Sequence, residues 1–149
     1  MRLALYQPDQ AGNVGTILRL AACLAVPVDV IEPCGFPWGD RALKRAGMDY
    51  AEIANVRRHE SWEAFVGTLE GRLVLLTTGG DTRIDAARIE AGDTLLLGSE
   101  SMGAPPAVHE AADLRVRIPQ SAGTRSLNIA VAAGIALAEA LRQTQGWPR

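Results

Sequence analysis

The sequence predicts an α/β fold in which a mostly parallel sheet is flanked by helices. Short apolar segments rich in Leu, Val and Ile recur along the chain, as expected for strands buried on both faces of a sheet. Segments with apolar residues at helical spacing lie between several of them, an alternation typical of parallel α/β sheets. The 149 residues suit one domain, 1–149, with a substantial core.

The predicted strands differ in how each one ends. They cover residues 3–6, 28–33, 72–78, 92–100 and 114–119. The first runs into the turn-rich segment "QPDQAGN", and the second is β-branched and stops at Pro33. The last three end in small or polar residues, in "LLTTGGDTR", "LLLGSESMGAPP" and "RIPQSAGTRSLN". Ligands of parallel sheets bind at the carboxyl ends of strands, so these three segments are the candidates for a site.

The predicted helices are recognised by spacing and by their caps. They lie at 14–25, at 39–47, which is basic, and at 61–71, where Ser61 is the expected N-cap. Pro105-Pro106 could begin another helix. The last helix, within 123–143, is built largely of Ala, Gly, Val and Ile, so we expect close packing around Ala133 and Gly134.

Composition limits the classes of function. A net charge of -2 and a pI of about 5.7 argue against strong non-specific nucleic-acid binding but allow a local basic face. Cys23 and Cys34 show no metal-ligand spacing, and as reduced thiols they favour a cytosolic protein. His59 and His109 are predicted to lie at the surface. No segment reaches the roughly 18–20 apolar residues of a membrane span.

The motif "NVGTILR" opens the first predicted helix. Helix capping by Asn13 and a tight turn at Gly15 would explain those two residues without any function. Arg19 lies on a different face from the apolar residues of the helix. A guanidinium near a helix start would suit a phosphate.

Glycines mark two of the strand ends. "TTGGDTR" suggests a nucleotide-binding loop, but the full GxGxxG pattern and the Walker lysine are absent, so a plain turn explains it equally well. In "GSESMGAPP", Gly98 and Gly103 flank Glu100. That carboxylate could orient an arginine or a ligand, or could simply cap the following backbone.

A basic segment follows the second predicted strand. Arg41, Lys44 and Arg45 lie close together in "DRALKRAG", where a solvated helix face is the default and a phosphate-binding face the functional alternative. Trp38, just before it, could stack on a base, although packing at the rim of the core is the simpler interpretation.

In this order, "NVGTILR", "GSESMGAPP" and "IPQSAGTRSLN" resemble the three motifs of the SPOUT (trefoil-knot) RNA methyltransferases. Each segment is weak alone, but the ordered set is specific, and the resemblance covers the whole chain. "LYQPDQAGNVGTILRLA" and "VIEPCGFPWGDRALKRAGMDY" are similar to the small TrmL-type branch. Enzymes of that branch methylate the ribose 2'-hydroxyl of the tRNA wobble nucleotide (position 34).

The resemblance implies a deep C-terminal trefoil knot within about 72–143 and a homodimer that binds the anticodon stem-loop of tRNA, with no metal and no membrane. It also implies S-adenosyl-L-methionine as the cofactor, held by three loops that present mainly backbone groups. The implied cofactor-binding residues are Leu76, Thr77, Thr78, Gly98, Ser99, Glu100, Ile118, Gln120, Ser126 and Leu127.

The resemblance also implies roles in catalysis and RNA binding. The catalytic residues would be Arg19, Asn13, Glu100, Ser126 and Asn128, and the RNA-binding residues Arg19, Arg41, Lys44 and Arg45. Because a guanidinium stays protonated under nearly all conditions, we expect Arg19 to hold a phosphate and favour the developing alkoxide rather than act as a base. Asn13, Glu100 and Asn128 would position Arg19 or the ribose, and Ser126 would contact the cofactor or the hydroxyl.

The chain departs from the family pattern at several positions. Ser99 and Ala104 stand where Pro and Leu are common, Ala130-Val131 replaces a polar pair, and Ala138 replaces a common Tyr. These departures bear on substrate preference and dimer packing. The alternatives are the same chemistry on another tRNA or rRNA site, a non-catalytic RNA-binding or cofactor-sensing dimer, and a nucleotide-binding Rossmann enzyme. The missing GxGxxG disfavours the last.

Overall fold

The computed structural model describes residues 1–39, 41, 45 and 54–149. Within these ranges the strands are β1 (Arg2–Tyr6), β2 (Val28–Ile31), β3 (Val56–His59), β4 (Leu73–Leu76), β5 (Thr82–Arg83), β6 (Thr94–Leu97) and β7 (Leu114–Arg117). The helices are α1 (Ala11–Cys23), α2 (Trp62–Val66), α3 (Pro106–Ala111) and α4 (Ile129–Thr144). No helix in the described part of the chain is long and apolar enough to cross a membrane.

All seven strands pair in one parallel sheet, in the order β3-β2-β1-β6-β4-β7-β5. A parallel sheet is usually covered by helices on both faces, and alternate side chains of each strand pack against the helices of one face or the other. One face packs against α1 and α4, with Leu3, Leu5 and Leu95 in the core. The other packs against α2 and α3 through Phe65 and Val108. The predicted fold class, a mostly parallel sheet flanked by helices, is confirmed.

The last strand enters between strands that precede it. β7 lies between β4 and β5, although it follows both in the chain. Gly80, in the turn that joins β4 to β5, packs directly on the β7 backbone, where a Cβ would come within 2.6 Å of the Val116 carbonyl carbon. This order is compatible with a threaded C-terminus. The knot itself stays a prediction.

Most predicted elements are present with shorter bounds. The predicted strands correspond to β1, β2, β4, β6 and β7, and Ser61 caps α2 by accepting a hydrogen bond from Ala64 N at 3.1 Å. Pro106 begins α3, as expected. Most of the predicted helix 39–47, including Lys44, lies outside the described residues. β3 was missed because "VRRH" has no apolar run, and β5 because it has two residues.

Two local expectations were wrong. Asn13 is not the N-cap of α1: the helix begins at Ala11 after an extended Gln10, and Asn13 lies in its first turn. His59 is not at the surface but 5% exposed, because its Nε2 lies 2.7 Å from the buried Asp29 carboxylate and its ring packs edge-on against Phe65. His109 is partly buried in the last turn of α3.

Candidate active site

A cavity of about 520 Å³ opens at the carboxyl ends of β4, β6 and β7. Its size falls in the range of pockets that hold small molecules and cofactors. Three loops and the first turns of α1 and α4 line it, with the residues Gln10, Asn13, Leu76, Thr77, Thr78, Leu97, Gly98, Ser99, Glu100, Ser101, Gly103, Ala104, Val116, Ile118, Gln120, Ser126, Leu127, Asn128, Ile129 and Ala132. The three strand ends singled out in the sequence therefore meet in one place.

Every residue predicted to bind the cofactor lines this cavity, and so do Asn13, Glu100, Ser126 and Asn128. Arg19 does not line it; the side chain is exposed on α1. Arg41 and Arg45 are also exposed, and Lys44 lies outside the described residues. The geometry thus brings together the predicted cofactor site and four of the predicted catalytic residues, while the predicted RNA-binding arginines lie outside the cavity.

The loop after β6 folds tightly on itself. Ser99 and Gly103 exchange backbone hydrogen bonds of 3.0 and 2.9 Å, and the Ser99 hydroxyl accepts a further bond from Met102 N. A Cβ at Gly98 would lie 2.5 Å from the carbonyl carbon of Gly103, so this closure requires glycine. Gly103 itself has a φ of 65°, which also favours glycine. The fold of the loop presents Glu100 to the neighbouring segments.

Glu100, Asn13 and Asn128 form a hydrogen-bonded chain on the cavity wall, called here the cavity network. Glu100 Oε1 accepts from Asn13 Nδ2 at 3.2 Å, and Asn13 Oδ1 accepts from Asn128 Nδ2 at 3.0 Å. Asn128 Oδ1 in turn caps α4, accepting from Ala130 N at 2.8 Å. Residues from the three sequence motifs are therefore joined by direct side-chain contacts.

Glu100 carries the one charge among the described lining residues, and both of its oxygens already have donors. Oε2 accepts from Asp9 N at 2.7 Å, while Oε1 accepts from Asn13. A carboxylate held on both sides orients its neighbours. The Ser126 hydroxyl also lines the cavity and is exposed, so it can reach a bound molecule.

The loop after β4 is fixed from β7. Arg117 Nη1 donates to the carbonyl oxygens of Gly80 and Asp81, at 2.6 and 3.1 Å. These two residues end the turn that begins at the cavity residues Thr77 and Thr78. A side chain outside the cavity therefore sets the position of one of its walls.

Cys34 gives no sign of a nucleophile. Burial, reinforced by the negative charge of Glu32, raises the pKa of its thiol to about 11. Because only a thiolate attacks readily, the half-buried Cys34 is unreactive near neutral pH. Cys23 is exposed on α1, away from the residues that line the cavity.

Sequence reasoning missed several residues of the site. Gln10 and Ser101 line the cavity, and Asp9 holds Glu100 from outside it. Gln10 and Asp9 follow β1, whose carboxyl end meets the same edge of the sheet. The turn-rich segment "QPDQAGN" could have revealed them had the end of the first strand been counted among the candidates.

The amino-acid sequence matches the model of a known family over most of its length. The SpoU rRNA Methylase family model matches residues 1–138. The chain belongs to the SpoU rRNA methylase family. The resemblance to SPOUT methyltransferases inferred from the motifs is confirmed.

Relatives in this family match the chain end to end. A tRNA (cytidine(34)-2'-O)-methyltransferase of Ancylobacter novellus is 52% identical, with 100% of this chain and 96% of the relative covered. The Escherichia coli K12 protein of the same name is 38% identical, covering 99% and 96%. The TrmL-type resemblance is therefore confirmed along with the family.

Solved structures of the family share the fold. One, described as giving structural insights into the 2-OH methylation of C/U34 on tRNA, has a TM-score of 0.92 and 40% identity, covering 97% of this chain and 96% of that chain. An AdoMet-bound rRNA methyltransferase from Sinorhizobium meliloti has a TM-score of 0.85 and 27% identity, covering 95% of this chain and 55% of that one. The sheet and its loops thus follow a known methyltransferase architecture.

Proposed function

We propose that this chain is a single-domain methyltransferase that transfers a methyl group from S-adenosylmethionine to the ribose 2'-hydroxyl of nucleotide 34 in tRNA. The observation that carries the proposal is the meeting of the three motifs in one cavity, where Glu100, Asn13 and Asn128 are hydrogen-bonded together. The names of the relatives supply the substrate. A tRNA substrate in turn favours a cytoplasmic protein.

The cavity suits S-adenosylmethionine in size and in the chemistry of its walls. Apolar side chains such as Leu76, Ile118 and Leu127 can cover an adenine ring, and hydroxyl or amide groups at Thr77, Ser99 and Gln120 can bond its polar atoms. When bound, the cofactor supplies an electrophilic methyl group on a sulfonium. The residues of this chain must then bring the ribose hydroxyl to that methyl and ease the loss of its proton.

Alignment of the ribose is assigned to the cavity network. Its amide groups lie at the rim of the cavity, and their orientation is fixed by Glu100 on one side and by the start of α4 on the other. Groups that are already oriented do not have to be ordered when RNA binds, which favours the productive geometry. Ser126 would contact the cofactor or the reacting hydroxyl.

Arg19 is assigned to an electrostatic role. A guanidinium cannot take a proton near neutral pH, so Arg19 would hold a phosphate next to the reacting ribose and favour the negative charge that develops on its oxygen. Since Arg19 lies outside the cavity of its own chain, the RNA would have to extend from the cavity rim to the exposed side of α1. Arg41, Lys44 and Arg45 would contact more distant phosphates.

We further propose that the protein works as a homodimer and that its C-terminal segment is knotted. Val131 and Ile135, one turn apart on α4, are 51% and 38% exposed, an apolar pair that a second copy would cover. Light scattering at increasing dilution measures the molecular mass of wild type and of Val131→Lys. We expect the variant to dissociate to a monomer at a higher concentration than wild type does. Unchanged mass of that variant and wild type at every concentration would remove α4 from the interface.

The function is tested by offering bulk tRNA and labelled S-adenosylmethionine to the protein and mapping the 2'-O-methylated nucleotides. We expect label at nucleotide 34 alone. Label at another tRNA position, or transfer only to rRNA fragments, would overturn the positional assignment while keeping the chemistry. No transfer, together with thermal stabilisation by S-adenosylmethionine and not by NAD, would support a non-catalytic cofactor-sensing dimer.

A further inference from the structure

We infer that Asp9 and Ser101 are positioning residues for the methyl transfer, acting through Glu100 on the cavity network. This inference rests on the proposed function. It adds two residues that were given no role above, and a physical reason for the orientation of Glu100 in the cavity network.

Asp9 and the loop after β6 hold each other through reciprocal hydrogen bonds. Asp9 N donates to Glu100 Oε2 at 2.7 Å, while Asp9 Oδ2 accepts from Ser101 N at 2.9 Å and from Ser101 Oγ at 2.6 Å. The backbone N–H of Asp9 thus holds the side chain of Glu100, and the side chain of Asp9 holds the next residue, Ser101. Three bonds join segments that are more than ninety residues apart in sequence.

The backbone of Asp9 is itself held from the opposite side. Gly35 N donates to Pro8 O at 2.9 Å, and a Cβ at Gly35 would lie 2.8 Å from Asp9 Cα. The segment after β2 therefore packs directly on the Asp9 backbone. The Asp9 end of the reciprocal contact therefore cannot shift freely without moving the segment after β2.

Charge strengthens the contact at neutral pH. The hydrogen bonds from the Ser101 hydroxyl and backbone hold the pKa of the Asp9 carboxyl below its ordinary value. A lowered pKa means that the interaction stabilises the fold above the ordinary aspartate range and is lost only as the pH falls through the lowered pKa. The carboxylate form is therefore the one present under the conditions of RNA methylation.

The consequence is transmitted along a short path. With Oε2 of Glu100 fixed by Asp9, Oε1 is directed at Asn13, and Asn13 orients Asn128 at the start of α4. Loss of the Asp9 carboxylate removes the two bonds to Ser101 and leaves only the backbone bond from Asp9 N to Glu100 Oε2. We expect the residues next to Glu100 to be held less firmly, so that Glu100 and the amide of Asn13 can adopt other orientations. A displacement of about 1 Å in aligning groups can cost a hundredfold in rate.

The experiment compares Asp9→Ala, Ser101→Ala and Ser101→Thr with wild type. We expect the kcat of Asp9→Ala to fall by about tenfold to a hundredfold while its KM for S-adenosylmethionine stays within about twofold. Ser101→Ala, which keeps the backbone bond, should lose less, and Ser101→Thr, which keeps the hydroxyl, should retain activity. The double variant Asp9→Ala/Ser101→Ala should match Asp9→Ala alone, because both changes remove the same contact.

A matched control separates positioning from stability. Ser61→Ala removes the N-cap of α2, on the face of the sheet away from α1 and α4. It should lower the melting temperature by a few degrees with no change in kcat. If Ser61→Ala and Asp9→Ala lose kcat equally, or if Asp9→Ala keeps its full kcat, the inference is wrong.

A second readout does not depend on activity. The side-chain amide protons of Asn13, assigned by their loss in Asn13→Asp, should shift in the NMR spectrum of Asp9→Ala and stay in place in Ser61→Ala. Unshifted Asn13 signals in Asp9→Ala would overturn the inference even if the wild type methylates nucleotide 34. Conversely, if the wild type methylates no RNA but the Asn13 signals shift in Asp9→Ala, the proposed function is refuted and the positioning contact is supported.

Discussion

Two polar networks among the described residues use similar groups but differ in what they can do. In the cavity network, Glu100, Asn13 and Asn128 come from a loop and two helix starts, and each is at least partly exposed. On the other face of the sheet, Asp29 of β2 accepts hydrogen bonds from Arg2 of β1 at 2.5 Å and lies 2.7 Å from His59 of β3. We call this second group the strand cluster.

Burial decides what each network can do. Asp29 is 1% and His59 5% exposed, so these two groups are closed off from solvent, and neither lines the cavity at the carboxyl ends of β4, β6 and β7. The cavity network satisfies Glu100 but leaves its amides at a rim that a ligand can reach. Polar residues joined by hydrogen bonds are therefore evidence of a site only where the arrangement also faces open space.

The largest effect is expected from breaking the strand cluster. Asp29→Ala leaves Arg2 and His59 without the carboxylate that both contact. Removing one member of a buried ion pair lowers the free energy of unfolding by about 3–5 kcal/mol. Urea unfolding should show this loss, while the kcat of the protein that remains folded stays at the wild-type value. Asp85→Ala, which removes a carboxylate from the exposed pair with Arg83, is the control and should leave the urea midpoint almost unchanged. Loss of kcat in folded Asp29→Ala would mean that the two networks are coupled.

In the cavity network we expect a large loss of kcat and a small loss of stability. Asn13→Ala removes the donor to Glu100 and the acceptor of Asn128, so we expect kcat to fall by about a hundredfold, or about 2.7 kcal/mol. The free energy of unfolding should fall by only about 1 kcal/mol, because the side chain is partly exposed. Thr16→Ala, which removes an exposed hydroxyl from the same helix, is the matched control and should leave kcat unchanged. Equal kcat in the two variants would contradict the assignment of Asn13.

The contrast also explains how much the sequence could predict. The continuous apolar segments identified β4 and β6 because strands buried on both faces have no polar side to disguise them. β3 was missed because it lies at the edge of the sheet, where Arg57 and Arg58 are exposed and only Val56 and His59 of its four residues pack inward. The burial of His59 depends on an acceptor thirty residues earlier, Asp29, which no local pattern reveals.

The site was more predictable than its supports. The sequence marked the three strand ends that meet at the cavity, and the family resemblance named residues of its walls in advance. The apolar periodicity, which begins at Val14, predicts Asn13 as a helix cap, while the family resemblance implies a catalytic role for it. Its amide is engaged by Glu100, a contact set by tertiary structure that the periodicity does not reveal. Arg19 shows the opposite limit, since position along a helix did not tell whether its side chain enters the cavity.

The small side chains of α4 allow a finer test, because this helix carries the Asn128 end of the cavity network. Ala133 is fully buried in the core that α4 shares with α1 and the sheet, so Ala133→Leu should overpack this core and cost about 1–3 kcal/mol in urea unfolding. Gly134 is different: a Cβ there would meet only Leu20 Cδ2, at an ordinary 3.8 Å. Gly134→Ala should therefore be neutral or stabilising. Destabilisation by Gly134→Ala would show that a second copy approaches this side of the helix closely.

The smallest effect is expected where a side chain outside the cavity fixes one of its walls. Arg117→Ala removes the donor to the carbonyl oxygens of Gly80 and Asp81, so the turn that presents Thr77 and Thr78 loses an anchor but keeps its backbone contact with β7. We expect the Kd of S-adenosylmethionine, measured by calorimetry, to rise about tenfold, equivalent to about 1.4 kcal/mol, with kcat at saturating cofactor little changed.

Arg115→Ala is the control for Arg117→Ala. Arg115 also reaches this turn, but the side-chain atom that it contacts there is the exposed carboxylate of Asp81. Its Kd should remain within about twofold of wild type, since exposed ion pairs contribute little. A lower kcat with an unchanged Kd in Arg117→Ala would place this wall of the cavity against the ribose instead of the cofactor. The RNA would then face two walls of the cavity, one formed by the cavity network and one by the turn after β4. The comparison with the strand cluster would have to treat both walls as part of the site.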